Sequence, residues 1–112
     1  MLKLITIAVD AMGGDGSPKK IIDGIAHHFK TNKNSFYKIF GDNEQIKKFI
    51  PSTLNKNSYE VIHTKEVVEG TDTPLGAAKR GKNTSMWLAV ESVKAKNADI
   101  VISAGNTGAL LV

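Results

Sequence analysis

The hydrophobic positions of this chain fall into short β-branched runs, separated by stretches in which apolar residues recur at helical spacing. Leu2 to Val9 is a nearly continuous apolar run, the pattern of a strand buried on both faces of a parallel sheet. The glycine-rich loop Asp10-Ala11-Met12-Gly13-Gly14-Asp15-Gly16-Ser17-Pro18 follows it. Ser17 as N-cap with Pro18 at the first helical position predicts a helix there, with Ile21, Ile22, Ile25, Ala26 and Phe29 as its apolar stripe. Phe36 to Phe40 reads as a second strand, Gly41-Asp42 as turn and cap, and Asn43 to Ile50 as a short helix stopped by Pro51. Tyr59 to His63 reads as a third strand.

Gly70-Thr71-Asp72-Thr73-Pro74 leads into a helical piece from Leu75 to about Arg80, which Gly81 interrupts. Thr84 is placed to cap a longer helix carrying Met86, Leu88, Ala89, Val90 and Val93, with Asn97 ending it in the left-handed conformation. Asp99 to Ser103 is the fourth strand. Strand and helix alternating in this way predict an α/β fold, a Rossmann-like parallel sheet sandwiched between helices.

The fourth strand breaks into Ser103-Ala104-Gly105-Asn106-Thr107-Gly108-Ala109, a strand, tight turn and helix start. Two readings stay open for this turn. Its glycines bend the chain while Asn106 or Thr107 caps a helix, or its N–H groups and the positive end of the helix dipole receive an anion. The turn and the Gly13-Gly14 loop both follow strands, so both are expected at the carboxyl edge of one sheet, where open α/β proteins bind ligands.

Composition narrows the function classes. No cysteine is present, which excludes disulfides, thiolate metal sites and a cysteine nucleophile within these 112 residues. The 15 Lys+Arg against 11 Asp+Glu give a net charge of +4, which favours anionic partners. The lysines are scattered and aromatics are only 6%, so nothing points to nucleic acid. The apolar start lacks a basic leader, and no run reaches the roughly 20 apolar residues that span a bilayer. Because the chain stops at Val112, in the first turn of an expected helix, it reads as the N-terminal portion of a longer protein whose remainder covers an exposed sheet edge.

Three blocks, IAVDAMGGD at Ile7 to Asp15, the DTP…KRGKNTSM stretch at Asp72 to Met86, and ADIVISAGNTGALL at Ala98 to Leu111, together resemble the bacterial phosphate acyltransferases of phospholipid synthesis. The resemblance implies transfer of a fatty acyl group from acyl carrier protein to inorganic phosphate, giving acyl phosphate. It implies a fold similar to the isocitrate/isopropylmalate dehydrogenases, residues 1–112 being the N-terminal part of a single acyltransferase domain. It also implies a homodimer when full length and a cytoplasmic location with peripheral membrane association. Neither nicotinamide nor metal is called for, and the 112 residues alone are expected to lack turnover.

The chemistry needs a held, partly neutralised phosphate and preplaced donors for the oxyanion formed at the thioester. Asp10 and Asn106 are the candidate catalytic residues, Asp10 either as a general base or as the organiser of a hydrogen-bond network. Gly13, Gly14, Arg80, Lys82, Ser103, Gly105, Asn106, Thr107 and Gly108 are the candidate phosphate or substrate contacts. Lys79 stands where arginine is common in the family, Gly81 where lysine is common and Thr84 where serine is common. A lysine lacks the bidentate fork, which leaves Arg80 and Lys82 as the candidate cations. Asp15 is expected to shape its loop through an Asx-turn.

The alternatives are an α/β dehydrogenase-like protein binding a nucleotide and a non-catalytic remnant. The chain lacks GxGxxG followed by an acidic residue, which counts against the former. His27, His28 and His63 have no ligand spacing and read as structural or solvated, and Met12, Met86 and Trp87 as packing.

Overall fold

The computed structural model describes residues 3–65 and 84–104. Within them the strands are β1 (Ile5–Asp10), β2 (Ser35–Gly41), β3 (Tyr59–His63) and β4 (Ile100–Ile102). The helices are α1 (Lys19–Thr31), α2 (Asn43–Lys47) and α3 (Ser85–Lys94), with a 3-10 turn at Lys56–Ser58. The expected helix from Leu75 to Arg80 lies outside the described residues, as does everything from Gly105 onward.

The four strands form one parallel sheet in the order β3-β2-β1-β4. Ile7 of β1 stands opposite Tyr37 of β2 and Ile100 of β4, so β1 runs through the interior of the sheet. The period-2 geometry of a strand then divides the apolar run of β1 between two cores. Ile7 and Val9 point to one face, where they pack with Ile22, Ile25 and Phe29 of α1, Tyr37 and Ile39 of β2, Ile46 of α2 and Leu54. Ala8 points to the other, against Phe40, Ala89 of α3 and Ala98. A strand covered by helices on both faces needs a continuous apolar run, and this is why Ile7, Ala8 and Val9 are apolar and buried in succession.

Local chemistry sets the ends of the elements, and at several of them the sequence expectation is corrected. Ser17 does not cap α1. Pro18, joined to Ser17 by a cis peptide bond, occupies the cap position without a side-chain bond, while the Ser17 hydroxyl donates to the Gly13 carbonyl at 2.5 Å. Helix α2 ends at Lys47 and not Ile50, closing in a turn where Phe49 N–H bonds the Ile46 carbonyl. Strand β4 is limited to Ile100–Ile102.

Thr84 caps α3 as expected, its hydroxyl accepting from Trp87 N–H at 3.1 Å. The left-handed residue beyond α3 is Lys96, at φ 63°, and not Asn97. Asn97 N–H bonds the Ser92 carbonyl and Lys96 N–H that of Val93, the paired bonds of a Schellman ending, which require the residue before Asn97 to turn left-handed.

Candidate functional site

The carboxyl ends of the strands share one edge of the parallel sheet, and Asp10, the last residue of β1, gathers hydrogen bonds from several segments there. It is 1% exposed. Its Oδ1 accepts from Met12 N–H at 3.1 Å, from Gly13 N–H at 3.2 Å and from the Ser85 hydroxyl at 2.6 Å. Its Oδ2 accepts from the Ser103 hydroxyl at 2.8 Å. A carboxyl group taken from water into a protein interior is costly unless donors replace the water, and these four do so.

The four donors come from three segments, each for its own reason in the sequence. Met12 and Gly13 are two and three residues past Asp10, the reach of an Asx-type turn, so the carboxyl group shapes the loop that follows its own strand. Asp15, for which an Asx-turn was expected, is solvent-exposed, and the Asx-type bonds found in this loop are those of Asp10. Ser85 is the first residue of α3 and fully buried; the Thr84 cap fixes the start of the helix and directs Ser85 inward. Ser103 directly follows β4, whose pairing with β1 sets Ile102 opposite Val9 and so carries Ser103 up beside Asp10.

Beyond the turn, Gly14 has φ +85°, and a Cβ built on it would lie 2.8 Å from the Ala104 carbonyl oxygen. The first glycine loop therefore lies directly against Ala104, the residue before Gly105 in the sequence. At the opposite end of β4, Asp99 ties the strand to β1 twice: its Oδ2 accepts from Thr6 N–H, and its own N–H donates to the Thr6 carbonyl, both at 2.8 Å.

Of the sequence-predicted residues, Asp10, Gly13, Gly14 and Ser103 are brought together at one edge. Arg80, Lys82, Gly105, Asn106, Thr107 and Gly108 lie outside the described residues. Described positions flank both of those segments closely: Thr84 and Ser85 follow Lys82, and Ser103 and Ala104 precede Gly105. Sequence reasoning missed Ser85. Its one trace in the sequence is a hydroxyl directly after a helix cap, on the side of α3 that carries Met86 and Ala89.

The histidines have other work. His63 Nδ1 accepts from Asn43 N–H at 3.0 Å, which satisfies one of the unpaired donors at the start of α2. His28 Nδ1 and the Tyr37 hydroxyl share a 2.6 Å hydrogen bond, and burial pushes the Tyr37 hydroxyl above its ordinary value of 10.0 against an opposing bond with Ser35. His27 is exposed on α1. Among the described residues no three His, Asp or Glu side chains gather as a metal site.

The family model for a fatty acid synthesis protein matches residues 5–112, which include every residue of this cluster. The chain belongs to this family. Among its relatives, the phosphate acyltransferase of Pelagibacter ubique is 70% identical over 112 residues, the whole of this chain and 33% of that protein. The phosphate acyltransferase of Streptococcus uberis is 45% identical over 105 residues, 94% of this chain and 30% of that protein. That of Lactobacillus johnsonii is 44% identical over 106 residues, 95% of this chain and 32% of its own length. The chain thus spans about a third of the length of the curated relatives it matches. The family resemblance carried by the three sequence blocks is what the comparisons find.

Proposed function

We propose that the full-length protein carrying these residues is a phosphate acyltransferase, which transfers a fatty acyl group from acyl carrier protein to inorganic phosphate. The observation that carries this reading is the convergence of β1, the Gly13-Gly14 loop, the start of α3 and the end of β4 on one buried carboxyl group, in a chain 70% identical to a phosphate acyltransferase. In the reaction, a phosphate oxygen attacks the thioester carbonyl carbon, the C–S bond breaks, and the thiolate of the carrier leaves and takes up a proton. A thiolate leaves readily, so direct transfer to phosphate needs no covalent enzyme intermediate.

The protein's task is to hold the phosphate oxygen against the carbonyl and to stabilise the oxyanion that forms there. In this reading Gly105, Asn106, Thr107 and Gly108 supply N–H groups, an amide and a hydroxyl, and Arg80 and Lys82 balance the phosphate charge. Asn106 is the catalytic donor to the oxyanion. The complete fold is proposed to be similar to the isocitrate/isopropylmalate dehydrogenases, and to act as a homodimer in the cytoplasm with peripheral association to the membrane. Among the described residues no helix is long and apolar enough to cross a membrane.

The test is to incubate the full-length protein with a fatty acyl thioester of acyl carrier protein and phosphate. Release of the free carrier thiol, dependent on phosphate and matched by acyl phosphate, is the expected outcome. Thiol release without phosphate dependence, or none at all, would defeat the proposal. The 112-residue chain by itself is expected to give no turnover in the same assay.

A further inference from the structure

We infer that Asp10 is a positioning residue that acts through the hydroxyl of Ser103, and is not the group that takes a proton during the reaction. The inference rests on the acyl-transfer reading above and assigns the role of one carboxyl group within it. A general base must come within hydrogen-bond reach of the proton it removes. Asp10 is 1% exposed, and a carboxylate offers about four lone-pair sites. Met12 N–H, Gly13 N–H and the Ser85 hydroxyl crowd Oδ1, and the Ser103 hydroxyl holds Oδ2, so both oxygens are engaged within a group that solvent scarcely reaches.

The distribution of those donors decides the role. Three of them hold Oδ1, from the loop of its own strand and from the first turn of α3, so the carboxyl plane is fixed from two elements. Oδ2 is thereby aimed at Ser103, which is only half-buried and directly follows β4. Gly14 lies against Ala104, with no room for a Cβ. The carboxyl group thus sets the direction of the Ser103 hydroxyl. Ser85, fully buried at the start of α3, is a further positioning residue for the same group.

Asparagine at position 10 separates the two roles. Its carbonyl oxygen keeps the three donors of Oδ1, but its NH₂ group replaces Oδ2 and turns a donor toward the Ser103 hydroxyl. Asp10→Asn then reverses this bond, so that the Ser103 hydroxyl accepts and its proton loses its direction, and Ser103→Ala removes the bond. In the full-length protein, each is expected to raise the KM for inorganic phosphate about tenfold with kcat lowered less than about threefold, as a lost bond to a charged group would. The double variant should be no worse than either single one. Ser103→Thr, which keeps the hydroxyl, should restore the KM, and the acid limb of kcat/KM against pH should stay in place in Asp10→Asn.

A kcat loss beyond about a hundredfold in Asp10→Asn with disappearance of the acid limb would identify Asp10 as the base and overturn the inference. Single effects that multiply in the double variant would do the same, and so would an unchanged phosphate KM in Ser103→Ala, whose reading does not depend on the Asp10 variants folding. A wild-type protein that forms no acyl phosphate defeats the proposed function separately. The positional assignment is then decided by thermal unfolding of the same variants: a double variant no less stable than the worse single one supports it, and additive losses contradict it.

Discussion

Asp10 and Gly14 show two different ways in which single residues fix the carboxyl edge of the sheet. Asp10 draws donors in from three segments, whereas Gly14 permits an approach that any side chain would block. At Gly14 the backbone is left-handed, and a Cβ would meet the Ala104 carbonyl oxygen at 2.8 Å. Gly14→Ala is therefore expected to destabilise the full-length protein by roughly 1–3 kcal/mol, measured by denaturant unfolding, because strain and contact act together. A loss smaller than a few tenths of a kcal/mol would show that the loop can move away from Ala104. The place of Asp10 and the two glycines at the carboxyl edge was legible in the sequence from their position after an apolar run. The role of Ser85 was not, since its partner is 75 residues away in the chain and no local pattern connects them.

At the scale of elements, caps explain both what the sequence disclosed and where it misled. Asp42 and Thr84 lie directly before helices whose N–H groups their side chains receive, and both were legible. Ser17 has the right chemistry in the right place, yet its hydroxyl turns back to Gly13 because the loop closes on itself before α1 starts. The left-handed position fell one residue from the expected one because the Schellman bonds, and not the preference of asparagine for that conformation, select it.

The Asp42 cap also carries a pH dependence. Partial desolvation raises its carboxyl group, but bonds from the Gln45 side chain and from the Glu44 and Gln45 N–H groups, with the charge of Lys65, outweigh this and hold it below the ordinary 3.8. A carboxyl group lowered on folding stabilises the fold above its unfolded value, and this contribution is lost as pH falls through the lowered folded value. Thermal unfolding is thus expected to lose stability as pH is taken below 3.8, and Asp42→Asn to make that decline shallower. An identical acid decline in the variant would remove Asp42 from the account.

For the molecule as a whole, the alternation of runs and helical stripes was enough to read a parallel sheet flanked by helices, and β1 as a strand buried on both faces. The strand order β3-β2-β1-β4 was not legible, because pairing is set by which strands meet in space and not by any run taken alone. Apolar composition also misjudges β4, where Ile100, Val101 and Ile102 remain 48%, 38% and 49% exposed at the end of the described sheet. Their β-branched character matches a strand with a further neighbour, in keeping with relatives about three times as long as this chain.

The central claim is that the edge organised by Asp10 is where phosphate is held for acyl transfer. A crystal structure of the full-length protein with bound inorganic phosphate tests it most directly. Phosphate is expected at the carboxyl ends of β1 and β4, within hydrogen-bonding reach of the Ser103 to Gly108 segment and with Asp10 still bonded to Ser103. Phosphate bound away from that edge, or in direct contact with Asp10 after release of Ser103, would contradict it.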